Sequence, residues 1–409
     1  MAQQTEIVVV GGGIWGLSTA YHLAKFGQKQ IRVLERNSEI AGETTSQAAG
    51  LVGQIRSSGT MLRAIQYALE LFSQFPNETG HDAGLHQTGS LMVALTPERM
   101  EVYAHRIEQA HQNGIKAEFV SHAEMVRLAP ALEVSKIEGA YFVPDDGYVD
   151  PQQCAHAYAA AARDLGVQIE LGTSVTGLRL HDTQIVGVET QHGFIESDQV
   201  FITAGPWAGI LARKAGFTAP MQPIRHQRAR TAPVSGIPAH HPVVRVTDVS
   251  CYLRPEGDGY LYGFFEPNPT SLDLEGMSAD YRTRDIEPPV EVMVEAQKRL
   301  IPIFPVLEAL EIAEYRQGMT TFAPDGSYLI GPAPGVDGLY VATGCAAIGI
   351  AGSAAVGRWL AKWLIDGYPG EDLTHFGHER FGNRSADREW LRRESEQFYA
   401  NYYSIRATE

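Results

Sequence analysis

The chain has 409 residues, 44% of them hydrophobic, and a formal net charge of −15. That length and apolar content supply a sizeable core without staples, and an acidic balance with no Lys/Arg cluster argues against nucleic acid or anionic lipid as a main partner. The three cysteines, Cys154, Cys251 and Cys345, are odd in number and far apart, so neither a disulfide framework nor a Cys-x-x-Cys metal site is expected, and the setting reads as reducing and cytoplasmic. The N-terminus has no basic region before its apolar run and does not read as a signal peptide.

Residues 7–10, IVVV, form an apolar β-branched strand that runs into GGGIWG and then a helical stripe through Leu17, Ala20, Tyr21 and Ala24. The glycines follow the G-x-G-x-x-G spacing: Gly11 makes the turn, Gly13 lets backbone approach a pyrophosphate, and Gly16 packs helix on strand, with Ile14 and Trp15 between them. Phosphates then rest on the free N–H groups of the helix start. A second strand, 31–34, ends in Glu35, placed to take both hydroxyls of an adenosine ribose; it disfavours a 2′-phosphate, although the neighbouring Arg36 softens that. A dinucleotide site follows, and this stretch leaves NAD and FAD open.

Residues 38–51 are rich in small and hydroxyl side chains and suit a segment pressed along a cofactor. Ala68, Leu69 and Phe72 continue a helical stripe, 89–94 reads as a strand, 97–114 as a polar helix and 124–128 as a short one. Short strands flank the Pro144-Asp145-Asp146-Gly147 turn, and Pro151 opens an alanine-rich helix closed by Gly166. Strands follow over 167–171, 175–180, 185–189 and 193–195, and a buried one at 200–203 returns the chain to the nucleotide sheet. Residues 221–265 are strand-like, 288–300 helical, and 311–321, 328–331 and 339–342 strands. Residues 338–357 carry no charge but are Gly, Ala and Ser, which reads as a strand, turn and helix against a cofactor and not as a membrane span. The last amphipathic helix is expected at 358–365, and the tail from Phe381 mixes charge and aromatics and shows no clear core face beyond Trp390, Leu391, Phe398 and Tyr402.

Several stretches in this order resemble the FAD-dependent amine and amino-acid oxidoreductases of the D-amino-acid oxidase fold group, nearest the dimethylglycine and sarcosine dehydrogenase branch. They are VVVGGGIWGLSTAYHLAKFG with Glu35, TTSQAAGLVGQIRSS at 44–58, DDGYVDP at 145–151, FITAGPWA at 201–208, PIRHQ at 223–227, YLRPEGDGYLYG at 252–263, FAPDGSYLIGPAP at 322–334, 338–373, and HERF at 378–381. The resemblance implies an α/β (α+β) fold, with a glutathione-reductase-like FAD-binding domain (1–88, 145–220, 320–409) interleaved with a β-sheet substrate-binding domain (89–144, 221–319). It implies that Thr45, Ser46, Gln47, Ala49, Gly50 and Leu51 run beside the isoalloxazine and that Val175 touches the adenine side. Thr203, Ala204, Gly205 and Trp207 would sit against the cofactor, and Gly344, Ile348, Gly349, Ile350 and Ala351 would close around the ribityl chain and flavin O2.

Gln47 stands where relatives carry a flavin-linked histidine, and Gly318 where sarcosine oxidases carry a flavin-linked cysteine, so FAD is expected to be noncovalent. The chain stops where longer relatives continue into a folate-binding domain, which weighs against tetrahydrofolate as acceptor. His226 and Tyr252 match substrate-site residues of the branch; their plain alternatives are an exposed strand histidine and a core aromatic. Arg56 is the candidate for a substrate carboxylate, with a surface salt bridge as its alternative, and Arg254 and Arg316 are further candidates of that kind. Ala351 and Thr320 replace carboxylate-binding side chains of sarcosine oxidases and of glycine and D-amino-acid oxidases, which leaves room for a bulkier amine.

The expected activity is oxidation of a C–N bond in a secondary or tertiary amine, an N-methyl or N-alkyl amino acid, by hydride transfer to flavin N5 and imine hydrolysis, with O2 or another electron acceptor. The alternatives are a D-amino-acid or imino-acid dehydrogenase and, in another class, a non-catalytic FAD-binding assembly protein. The sequence leaves the oligomeric state open.

Overall fold

A computed structural model describes residues 6–278 and 280–404. Ile7–Val10 lies at the middle of a six-stranded sheet, between Gln199–Ile202 and Ile31–Leu34 and parallel to both. Gln168–Glu170 extends one side, Leu339–Thr343 and the antiparallel Leu329–Pro332 the other. The β-branched run at 7–10 is buried throughout, as a strand covered on both faces must be. The helices Ile14–Lys25, Pro151–Asp164 and Ser353–Asp366 share one core with Ile7 and Val9. Ser18 donates to the Ser353 carbonyl at 2.8 Å, and a Cβ on Gly357 would meet the Ser18 hydroxyl at 2.4 Å, so glycine sets how closely the first and last of these helices approach.

A second sheet of eight strands runs in the order Ile312–Phe322, Gln222–Thr231, Gly259–Phe264, Cys251–Glu256, Val243–Val246, Ser90–Ala94, Gly139–Val143, Glu118–Val120. Every pairing is antiparallel except Val243–Val246 with Ser90–Ala94. It carries its own core, with Leu91, Val244, Leu253, Tyr262 and Phe304 fully buried. Two three-stranded sheets complete the strands: Val175–His181, Gln184–Thr190 and Gly193–Glu196 in one, Leu51–Val52, Gly147–Val149 and Leu85–His86 in the other. No described helix is long and apolar enough to cross a membrane.

Two expectations are corrected. The helix placed at 358–365 begins five residues earlier and spans Ser353–Asp366, because small residues 353–357 pack tightly against the first helix. It is also not the last. Arg388–Ala400 is a helix capped by Asp387, whose side chain accepts from Trp390 N, and it buries Leu391, Ser395 and Tyr399. That stripe holds one serine and two apolar residues, too sparse to show as a core face in the sequence.

Candidate active site

The glycine corner forms one end of a continuous cavity of about 1480 Å³ that reaches across to the second sheet. Gly11 has φ +111°, and a Cβ there would lie 2.8 Å from the Thr203 carbonyl oxygen; a Cβ on Gly16 would lie 1.9 Å from the Gly11 oxygen. Both positions therefore need glycine for the protein's own packing. Gly13 differs: beyond its own stretch of chain, the nearest atom to its Cβ would be the Thr45 hydroxyl at 3.4 Å, and it lies on the cavity wall. The helix it opens has this glycine, with no side chain, as its N-cap and no acidic residue in its first turn; Ile14 N donates to the Thr45 hydroxyl at 3.2 Å, and the other N–H groups of the turn remain for an anion. Glu35 accepts from Gly12 N at 2.7 Å and Asn37 N at 2.8 Å. Burial pushes its carboxyl up, and those two bonds pull it back.

From this corner the cavity passes Val175, Thr203, Ala204, Gly205 and Trp207. Arg36 lies 3.7 Å over the Trp207 ring and pairs with Glu43 at 3.0 Å, so its charge is already partnered. The cavity then runs between Thr45, Gln47, Ala49, Gly50 and Leu51 on one side and Ile348, Gly349, Ile350 and Ala351 on the other. Trp15 Nε1 donates to the Gly349 carbonyl at 2.8 Å and Tyr328 to the Ile348 carbonyl at 2.9 Å. Ala346 and Ala347 are held at φ 45° and 58°, left-handed conformations that cost energy in a non-glycine residue. Thr321 and Thr320 hold them, the Thr321 carbonyl accepting from Ala346 N and the Thr320 hydroxyl from Ala347 N.

Three arginines of the second sheet anchor the 44–51 segment by its carbonyls. Arg228 donates to Gln47 O and Arg254 to Ala49 O, each at 2.8 Å, and Arg316 to Ser46 O at 3.4 Å. Arg228 and Arg254 share Glu256, and Arg316 pairs with Glu314. Arg254 and Arg316 are therefore committed to backbone, which corrects their candidacy for a substrate carboxylate.

At the far end stand His226, Tyr252 and Arg56. His226 and Tyr252 belong to strands separated by Gly259–Phe264, and Tyr252 is paired with Gly263. A Cβ on Gly263 would lie 2.1 Å from the Tyr252 hydroxyl; glycine there lets the ring cross the intervening strand to reach His226. The Tyr252 hydroxyl is 3.1 Å from His226 Nε2, and the Tyr399 hydroxyl is 2.8 Å from Nδ1. Burial lowers the His226 pKa to about 3, leaving it neutral, and raises that of Tyr252. Arg56 donates one bond, to its neighbour's carbonyl at 3.2 Å, while its buried Nε has no partner. Among the described residues it has no salt-bridge partner.

The expected site residues line this one cavity with three exceptions. Gly16 packs beneath the corner, as its contacts require. Ser46 is turned inward, donating to the Glu43 carbonyl at 2.9 Å. Gly344 serves the turn after Leu339–Thr343, where a Cβ would press on Leu329. Sequence reasoning singled out Phe398 and Tyr402 as apolar positions of the tail but missed that the tail walls the cavity. Tyr402 stacks on Phe265 at 4.1 Å and 4°, Tyr403 meets the same ring edge-on at 5.2 Å, and both line the cavity. Burial pushes Tyr402 up to about 12. It also missed Arg245, which is 6% exposed, lines the cavity and donates to Ser90. The only signal for the wall was the aromatic density of residues 398–403.

Length, a glycine cradle with room at Gly13, open N–H donors and a buried carboxylate at the ribose distance fit an extended dinucleotide such as FAD. A family profile described as FAD dependent oxidoreductase matches residues 6–363. Sarcosine dehydrogenase, mitochondrial, of Homo sapiens is 33% identical over 407 residues, 98% of this chain and 44% of that one. The 4-methylaminobutanoate oxidase (formaldehyde-forming) of Paenarthrobacter nicotinovorans is 31% identical over 399 residues, 97% of this chain and 48% of that one. The chain thus spans about half the length of these curated relatives. Among solved structures, L-proline dehydrogenase from P. horikoshii superposes with a TM-score of 0.83 at 26% identity, covering 93% of this chain and 98% of that one. With its glycine corner and a cavity lined by residues of both large sheets, the chain belongs to the FAD-dependent oxidoreductase family.

Proposed function

We propose that this protein oxidises the C–N bond of a secondary or tertiary amine bearing a carboxylate, an N-methyl or N-alkyl amino acid. The observation that carries this reading is the far end of the cavity, where a neutral His226 and Tyr252 face the same space as a guanidinium with no carboxylate partner. Bound FAD supplies the hydride acceptor. Gly11, Gly13 and Glu35 would hold its ADP half, the 45–51 and 348–351 segments the rest, and Gln47 and Gly318 offer no linking side chain, so the cofactor is held without a covalent bond.

Arg56 would fix the substrate by its carboxylate, which aims the C–H bond and removes the charge that an unpaired guanidinium leaves in a dry site. Phe265, Tyr402 and Tyr252 exclude water from one side of that space. A neutral His226 matters twice. It places no cation beside an amine that becomes an iminium, and it holds Tyr252, whose hydroxyl offers a hydrogen-bonding atom to an amine that has lost its proton. The imine formed hydrolyses to an aldehyde and a shorter amine.

Anaerobic mixing of the FAD-bound protein with sarcosine, dimethylglycine, 4-methylaminobutanoate, proline and D-amino acids tests this, read at the flavin band. Bleaching by an N-methyl amino acid is expected, and acid precipitation of the same sample should leave the yellow in the supernatant. Bleaching by proline or D-amino acids alone would move the assignment to an imino-acid or D-amino-acid dehydrogenase. No bleaching at all would leave the assembly-protein reading. Repeating turnover in air and with an artificial dye separates O2 from another acceptor.

A further inference from the structure

The hydrogen bonds around His226 form a chain whose direction is decided at its far end. Gln227 is 1% exposed. Its amide cannot be turned over: Arg225 Nε, a donor only, meets Oε1 at 3.3 Å, and the Phe264 carbonyl, an acceptor only, meets Nε2 at 3.0 Å. The Nε2 group also reaches the Tyr399 hydroxyl at 3.4 Å, and there it can only donate. Tyr399 is 0% exposed, and among the described residues its hydroxyl has two partners, Gln227 Nε2 and His226 Nδ1. Since the first is a donor, the hydroxyl hydrogen has one acceptor left, which is Nδ1.

An acceptor at Nδ1 requires the proton of a neutral imidazole to be on Nε2. Nε2 then donates to the Tyr252 oxygen, 3.1 Å away. The opposite tautomer would leave the Tyr399 hydrogen buried with no acceptor, which disfavours it by about ten-fold or more. Tyr252 in turn has His226 as its hydroxyl partner and lines the cavity, so its own hydrogen is left to point there.

We infer that Gln227 and Tyr399 are positioning residues that hold His226 as the Nε2–H tautomer and so present the Tyr252 hydroxyl to the cavity as a hydrogen-bond donor, matched to the lone pair of a neutral amine. An ammonium group has no lone pair to offer that donor, so the deprotonated amine is the form that the site takes. Two of the four members, Gln227 and Tyr399, lie outside the cavity lining, and Tyr399 comes from the last helix, 173 residues from His226. The matching to an amine rests on the proposed function; the tautomer does not, and the two are tested apart.

The tautomer is read directly in the FAD-bound protein labelled with 15N-histidine, from two-bond 1H–15N correlations. The His226 signals are assigned by their loss in His226→Gln or, should that variant fail to fold, by the shift of Nε2 in Tyr252→Phe. The expected pattern is a protonated Nε2 and a bare Nδ1. Tyr399→Phe keeps the ring contacts with Phe265 at 5.2 Å and Phe322 at 5.5 Å and removes the hydroxyl, the donor to Nδ1, while Gln227 Nε2 keeps the Phe264 carbonyl, so the pattern should collapse to a mixture of tautomers. A protonated Nδ1 or an imidazolium in the parent protein, or an unchanged pattern in Tyr399→Phe, overturns the inference. With sarcosine as the probe, KM should rise about five-fold in Tyr399→Phe while the limiting rate of flavin reduction changes less than about two-fold; an unchanged KM sinks the match to the amine. A parent protein whose flavin no amine reduces sinks the proposed function, and the tautomer is then judged on the spectrum.

Discussion

The three glycines of the corner are alike in the sequence and different in their surroundings. Gly16 has backbone 1.9 Å from its missing Cβ, whereas Gly13 has 3.4 Å of clearance and faces the cavity. Gly16→Ala should therefore lower both thermal stability and FAD retention. Gly13→Ala should melt as the parent does without cofactor, yet hold FAD at least about ten-fold more weakly, because the added methyl occupies space that only a bound phosphate would use. Differential scanning fluorimetry of the cofactor-free proteins, followed by FAD titration, checks both; a Gly13→Ala protein that binds FAD normally would detach that residue from the cofactor. The spacing of the motif was legible from local sequence alone. The separate jobs of the three glycines were legible there too; what the structure adds is how tightly each is enclosed, since part of the enclosure comes from Thr203 and Thr45.

Among the elements, the last helix and the turn after it contribute most that the chain order concealed. Arg388–Ala400 packs beside strands Gln222–Thr231 and Ile312–Phe322, setting Tyr399 behind His226 and bringing Tyr402 and Tyr403 to the cavity wall. Tyr402 stacks on Phe265, and such a pair contributes about 0.5–1.5 kcal/mol beyond the area it buries. Tyr402→Ala should destabilise the protein by about 1–3 kcal/mol and open the pocket. The KM for sarcosine should rise and that for bulkier N-alkyl amino acids should fall, measured by steady-state kinetics over a series of N-alkyl groups. A uniform change across the series would make the stack a matter of stability alone. Strands and helices with strong periodicity were legible, as with 7–10, 151–164 and 312–322. This helix was not, because its buried face works through one hydroxyl and one aromatic packed on a distant sheet.

For the molecule as a whole, three histidines buried outside the cavity wall set the response to acid. His22 and His241 are 0% exposed and His378 is 5%. Burial lowers their pKa values from 6.5 to about 3, 4 and 4. Below about pH 6.5 the unfolded chain takes up protons at these positions while the folded chain does not, so stability falls as pH falls, until about pH 4 for His241 and His378 and about pH 3 for His22. Each contributes a slope of at most about 1.4 kcal/mol per pH unit in that window. Urea midpoints taken from pH 7.5 to pH 4.5 should decline, and His378→Gln should flatten the slope by one proton; a flat profile would contradict neutral burial.

What the sequence by itself determined is the part of this protein written in short stretches. The glycine turn between a strand and a helix, the acidic end of the second strand and the small-residue segment at 44–51 each rest on backbone conformation and near-neighbour sterics, which some thirty residues suffice to specify. The order of such stretches carried the family and, with it, the fold. Only the tertiary structure decided which side chains share the substrate end. Strand pairing lays Tyr252 across Gly263 toward His226, the last helix turns Tyr399 onto the same ring, and the second sheet draws Arg254 and Arg316 to the 44–51 backbone and away from any substrate. Arg56 keeps an unpartnered Nε in the same space. These contacts join positions up to 270 residues apart, and hydrogen bonds and charge pairs act over a few ångströms, so their partners are chosen by which strands pair and where the helices dock.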